Sequence, residues 1–302
     1  MENSVSKAIA KAQQFSGHLD LKEYQRQTIE AYLSGRDVFV SAQTGYGKSL
    51  TFELAPHAFE YLSENNKSLV LVVVPLVVLY MKDQVSNLEK DSLTEEAFRS
   101  DYGRLAELRS LVHKNVPFIA LTATATEATR KTIIKDLCMR DCVQILGDPN
   151  KQNIRYTITD VDHKNLYDTF KPIINELEEK QINTTKVMVF CRRKDHVKEL
   201  FELFTQCLGQ KAYYRPTGEE PINDRSRLFA MYHKKAHSLV KKTVETEFCK
   251  ENGTVRVVFC TIAFGMGVNI KGGNVVIHLG PSGGLDEYLQ ECGRVGRDKT
   301  NV

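Results

Sequence analysis

Residues 41–50, "SAQTGYGKSL", decide how the rest of the chain is read. They follow a short β-branched run, "DVFV", and precede an apolar, helix-forming segment, "LTFELAPHAF". A strand, a glycine-rich turn and a helix in that order gather backbone N–H groups at a helix N-terminus, where they cradle phosphate oxygens. Gly45 and Gly47 give the turn the backbone freedom this requires. Lys48 is placed to neutralise β and γ phosphates, and the Ser49 hydroxyl to ligate Mg²⁺. Thr44, Gly45, Tyr46, Gly47, Lys48 and Ser49 are therefore the expected nucleotide-binding residues. The first position is Ala42, where the simplest form of the pattern has glycine.

Further short apolar runs recur on both sides: "SLVLVVV" from Ser68, "PFIALTA" from Pro117, "TKVMVFC" from Thr185, "VRVVFCT" from Val255 and "NVVIHLG" from Asn274. Helical patterns such as "QRQTIEAYLSG" and "RKDHVKELFELF" separate them. Continuous apolar strands alternating with helices predict a doubly wound α/β fold with parallel sheets covered on both faces. The longest apolar run, residues 69–81, holds Pro75 and is shorter than the roughly 20 residues a bilayer span needs. It reads as a buried strand followed by a helix start, so no membrane association is expected.

A chain of 302 residues has room for two domains. The polar segment "LGDPNKQNIRY" predicts a boundary near residue 152, giving domains 1–152 and 153–302. With 42% hydrophobic and 26% charged residues, the composition excludes disordered and fibrous classes. The net charge of +3 is too small to mark a nucleic-acid binder by itself. Seven scattered cysteines give no disulfide framework, and Cys138 and Cys142 lack a second pair at zinc-site spacing, so reduced thiols and no zinc site are expected. The N-terminus lacks the apolar core of a signal peptide. The lysine-rich stretch 218–253 is read as a solvated helical face, with His233 and His237 in "HKKAH" on that helix but without a third metal ligand. Lys151, Arg155 and Lys171 are expected on the surface.

More specific signals lie near the C-terminus. "YLQECGRVGRD", residues 288–298, resembles helicase motif VI, and "TIAFGMGVNIKGGNVVIH", residues 261–278, resembles motif V of RecQ helicases. "LKEYQ" with Gln25 is similar to the adenine-reading motif zero, "PLVVLYMKDQV" to motif Ia, "FIALTATAT" to motif III and "VMVFCRRKDHV" to motif IV. Over nearly its whole length the chain resembles a RecQ-like helicase of superfamily 2. The resemblance implies two RecA-like lobes, ATP with Mg²⁺ between them, and single-stranded or partly duplex DNA across their tops. It implies that Arg297 acts as an arginine finger, with Arg294 and Gln290 beside it in motif VI, and that Gln25 meets adenine with His18 supplying the stacking ring. Thr122 and Thr124 of motif III would link the nucleotide pocket to the DNA track.

One departure concerns the hydrolytic acid. Family members carry a further strand, motif Ib and a "DEAH" motif II between motif Ia and the segment that resembles "FRSDYGRLAELRSL"; here only "DSLTEEA" lies between Lys90 and Phe98. Motif II supplies carboxylates that hold Mg²⁺ and orient the attacking water. Glu95 and Glu96 are the nearest candidates, on a polar segment without an apolar strand before it. The first lobe is thus expected to lack two strands, in a shortened form arising from splicing or an imperfect gene model. The aromatic-rich loop, and the zinc-binding and winged-helix region beyond motif VI, are also without a counterpart, and Asn269 stands where motif V usually has aspartate. Three readings follow: an ATP-driven 3′ to 5′ DNA helicase, a module that binds ATP and nucleic acid without turnover, and a small-molecule kinase, which motifs V and VI disfavour. Nuclear residence, with cytoplasmic residence as the alternative, is expected from the DNA substrate and the thiol-rich, signal-free composition; the oligomeric state is left open.

Overall fold

The structure is a computed structural model and describes residues 2–17, 20–63, 68, 70–73, 105–162, 165–216, 223–261, 264 and 270–296. The chain divides into two compact units, Met1–Asn150 and Lys151–Val302.

In the first unit, helices α1 (Glu2–Ser16) and α2 (Glu23–Leu33) precede strand β1 (Val38–Ser41), which runs through the glycine turn into α3 (Ser49–Leu62). A short helix α4 (Leu108–Leu111), strand β2 (Ile119–Thr122), helix α5 (Glu127–Asp136) and strand β3 (Val143–Leu146) complete its described elements. The three strands are parallel in the order β2-β1-β3. Val38, Val40, Ala42 and Ile145 form one buried cluster. Ala8, Ile9 and Ala12 of α1 pack with Ile29 of α2 and Leu54 and Ala58 of α3 in another, the small alanines letting the helices approach closely.

The strand expected over residues 68–74 is not formed by the described residues Ser68 and 70–73. Leu71 is 69% exposed. Both edges of β1 are already filled by β2 and β3, so the run has no place beside the central strand. Residues 74–104 lie outside the described residues, and with them motif Ia, Glu95 and Glu96.

One buried ion pair anchors the segment from residue 105 to 118 within this unit. The Arg109 guanidinium donates to Asp37, just before β1, at 2.5 Å, and to the Val116 carbonyl at 2.9 Å. It also lies over the Phe118 ring. Asp37 accepts from the backbone N–H of Phe118 and of Arg140 as well, so its charge is shared among three donors, one guanidinium and two backbone amides.

The second unit is built from α6 (Leu166–Lys180), β4 (Lys186–Cys191), α7 (Lys194–Leu208), β5 (Phe229–Tyr232), α8 (Ser238–Glu247), β6 (Val257–Cys260), β7 (Gly273–Leu279) and α9 (Leu285–Cys292). Its strands are all parallel, in the order β5-β6-β4-β7. Strand alternation sorts side chains to two faces. Val187, Val189 and Cys191 of β4 and Val257 and Phe259 of β6 join one core with α6 and α7. Met188 and Phe190, with Val258 and Cys260, join the other with Val244 of α8 and Phe248 and Phe264. Spacings of three and four place Leu166, Phe170, Ile174 and Leu177, then Val197, Leu200, Phe204 and Leu208, on single helix faces. The Phe204 ring meets the edge of Phe259 at 4.8 Å.

The lysine-rich stretch differs from expectation. It contains the buried end strand β5, and "HKKAH" is a turn, not a helix. His237 stands at the N-cap of α8, where its Nδ1 accepts from the backbone N–H of Leu239, so an imidazole does the work usually given to a short polar side chain. Burial, with Lys194 and Lys241 nearby, pulls the His233 pKa below its ordinary value. Among the described residues no helix is long and apolar enough to cross a membrane, and no group of three or more His, Cys, Asp or Glu side chains is placed to hold a metal.

Candidate nucleotide-binding site

The glycine turn occupies the position the sequence assigns it, between β1 and α3. Gly45 and Gly47 both adopt left-handed backbone conformations, with φ of 83° and 87°. A Cβ on Gly47 would stand 2.7 Å from the Gln25 amide nitrogen, so the position admits glycine for both conformational and steric reasons. Ser49 is the first residue of α3 and Lys48 its N-cap, which puts both side chains at the end where helix N–H groups lack internal acceptors. Lys48 Nζ folds back across the turn and donates to the carbonyls of Ala42 at 2.5 Å and Gln43 at 3.2 Å. Thr51 closes the first turn of α3 by donating its hydroxyl to the Lys48 carbonyl at 2.6 Å.

Gln25 is buried, and its side-chain amide is built into the turn. Nε2 donates to the carbonyls of Gly47 at 2.7 Å and Tyr46 at 3.3 Å, and Oε1 accepts from the backbone N–H of Lys22 at 2.9 Å. Tyr46 stacks on Tyr24 at 5.1 Å, and its carbonyl accepts from Lys22 Nζ at 3.0 Å. Helix α2 therefore braces the phosphate turn through one glutamine, one lysine and a ring pair. The sequence pointed to Gln25 as a base reader; its bracing of Gly47 is legible only in three dimensions. His18 lies outside the described residues.

The end of β2 adjoins this turn. Thr122 pairs in register with Ser41, and its carbonyl accepts from the backbone N–H of Ala42 at 3.1 Å. The Thr122 hydroxyl donates to the Thr124 carbonyl at 2.7 Å, and Thr126 caps α5 by accepting from Thr129. Threonines at this strand end thus shape the turn beside the glycine loop.

In the second unit Gln290 lies on α9, partly buried, and Arg294 is buried in the turn that follows it. Glu291, also buried, accepts from His278 Nε2 at 3.0 Å and from the Ser282 hydroxyl at 2.7 Å, which fastens α9 to the end of β7. Arg297 and Asn269 lie outside the described residues. Arg155 and Lys171 are exposed as expected. Lys151 is not: it is 6% exposed, and its ammonium donates to the carbonyls of Gly293 at 2.9 Å and Val295 at 2.8 Å. A buried ammonium persists because backbone carbonyls replace its water.

Residues 22–91 match the family described as DEAD/DEAH box helicase, and residues 168–299 the family described as helicase conserved C-terminal domain. The chain is 24% identical to the ATP-dependent DNA helicase RecQ of Haemophilus influenzae over 345 residues, covering 93% of this chain and 50% of that protein. It is 26% identical to the ATP-dependent DNA helicase hus2/rqh1 of Schizosaccharomyces pombe, covering 92% of this chain and 24% of that protein. The chain thus spans half or less of these relatives' length. The Haemophilus alignment is longer than the 302-residue chain, so that relative carries internal residues with no counterpart here. Among solved structures the fold resembles the DEAD-box helicase Mss116, with a TM-score of 0.66 at 15% identity over 98% of this chain and 71% of that one. It also resembles Saccharomyces cerevisiae Dbp5, with a TM-score of 0.60 at 15% identity over 96% and 84%. The motifs, the two matched helicase domains and the parallel α/β sheet of each unit agree: this chain carries helicase domains and is similar to RecQ-type ATP-dependent DNA helicases.

Proposed function

We propose that this chain binds ATP with Mg²⁺ in the turn at residues 42–49 and couples its hydrolysis to 3′ to 5′ unwinding of DNA. The observation that carries the reading is the frame around that turn: two left-handed glycines, Lys48 and Ser49 at the N-terminus of α3, and bracing by Gln25. These residues fit a triphosphate and its metal. When bound, Mg²⁺ supplies charge neutralisation at the β and γ phosphates. Lys48 would exchange its bonds to Ala42 and Gln43 for phosphate oxygens, and the Ser49 hydroxyl would face the metal. Gln25 would touch adenine only by giving up part of its hold on Tyr46 and Gly47. Arg297, with Arg294 and Gln290 of the same sequence motif, would stabilise charge on the transferred phosphoryl group.

A second reading, nucleotide and nucleic-acid binding without turnover, is favoured by one observation. The DEAD/DEAH match stops at residue 91, where the sequence offers only Glu95 and Glu96 for the carboxylate pair. Steady-state ATPase with and without single-stranded DNA, on the chain and on Lys48→Ala, separates the two. DNA-stimulated turnover that Lys48→Ala abolishes supports the motor; ATP binding that Lys48→Ala abolishes, without turnover in the parent chain, supports the binding module. Failure to bind ATP at all refutes both.

A further inference from the structure

The segment that joins the two units reaches the motif VI turn with two side chains. Lys151 Nζ donates to the carbonyls of Gly293 and Val295, and Asn153 Nδ2 donates to the carbonyl of Gly296 at 3.0 Å. These carbonyls flank the buried Arg294 and lead into Arg297 in the sequence. Within the turn, the N–H groups of Gly293, Arg294 and Val295 bond back to Leu289, Glu291 and Cys292, so the N–H side is satisfied locally and the carbonyl side from the joining segment. Gly296 is left-handed, with φ of 63°, and a Cβ there would stand 2.8 Å from Asn153 Nδ2 and 3.2 Å from Ile154. The turn and the joining segment are thus fitted to each other at the scale of one methyl group.

We propose that Lys151 is a positioning residue, which with Asn153 fixes the shape of the 293–296 turn and so holds Arg294 of motif VI in place for phosphoryl transfer. It acts through the turn and does not touch nucleotide. The proposal rests on the ATP-hydrolysis reading for its consequence, but the fixing of the turn is measurable without it. A single buried ammonium that satisfies two carbonyls cannot be replaced by an apolar side chain without leaving both unpaired. A turn that relaxes by an ångström misplaces a charge-stabilising group and reduces the chemical step more than ground-state binding.

The test compares the full chain with Lys151→Met, Lys151→Arg and Asn153→Ala, all checked for folding by circular dichroism. Amide hydrogen exchange of the peptide spanning 290–296 is read first. Faster exchange confined to that peptide in Lys151→Met, partly restored in Lys151→Arg, is expected; unchanged exchange overturns the proposal. If Lys151→Met fails to fold, the same readout on Asn153→Ala decides. Where the parent chain hydrolyses ATP, Lys151→Met should lower kcat by about tenfold or more and leave the affinity for a fluorescent ATP analogue within about twofold. Loss of affinity with kcat retained overturns the positioning role. A parent chain with no turnover refutes the hydrolysis reading, while the exchange result still decides whether Lys151 fixes the turn.

Discussion

The side-chain nitrogen of Gln25 donates to the Gly47 carbonyl at 2.7 Å, and it is also the atom a Cβ on Gly47 would meet at 2.7 Å. Gly47→Ala should therefore cost about 1 kcal/mol or more of stability from its left-handed backbone alone, plus the displacement of Gln25. Gln25→Ala removes the second part. Urea unfolding of both single variants and the double variant should show the double less destabilised than the sum. Strict additivity would mean that the close approach is relieved by other means.

The Asp37–Arg109 pair is nearly sealed from solvent, with side-chain exposures of 3% and 6%. Arg109→Met strands a carboxylate in the core, and Asp37→Ala a guanidinium. Each should cost about 3–5 kcal/mol. The midpoint of chemical denaturation of the first unit is the readout, and a loss below about 1 kcal/mol, the range of surface pairs, would show that the pair is hydrated.

Lys186 lies within the second unit at 0% exposure, with its ammonium held by the carbonyls of Phe248, Lys250 and Lys271. Burial first, and Arg256 second, push its pKa down to about 8 from an ordinary 10.5. The folded chain gives up this proton at a lower pH than the unfolded chain, so between those values the unfolded state binds more protons. This group alone then makes the fold more stable as pH rises from about 8 toward 10.5. The difference in stability between the parent chain and Lys186→Met, followed by thermal unfolding across that window, should grow with pH.

Thiol reactivity should split by burial. Cys138 and Cys207 are exposed, whereas burial pushes Cys191 up to about 12 and Cys260 well above the ordinary thiol value. Iodoacetamide at pH 8 followed by peptide mass spectrometry should label the first two in the native chain and the latter two only after denaturation. Native labelling of Cys260 at the rate of Cys207 would contradict the packed sheet.

What could be read in advance was local. Strands β1, β4, β6 and β7 announce themselves as dense β-branched runs, and the phosphate turn by two glycines followed by lysine and serine. Strand β3 was missed because "VQIL" is short and exposes alternate residues, and β5 because "FAMY" sits among lysines that dominate its surroundings. The apolar run from Ser68 predicts a strand that the described residues 68 and 70–73 do not form, since apolar character alone does not supply a hydrogen-bonding neighbour. Lys151 escaped because its partners lie more than 140 residues away and are backbone carbonyls, which carry no side-chain signature.

The Asp37–Arg109 anchor bears on how such a lobe changes length. It fixes the chain after residue 104 against the start of β1, while α3 fixes the chain up to Leu62. For a connection whose ends are already held, each doubling of its length adds only about 0.6 kcal/mol of closure entropy. Gain or loss of dozens of residues in that interval is then cheap for the frame itself, and longer and shorter relatives can share one scaffold around the phosphate turn.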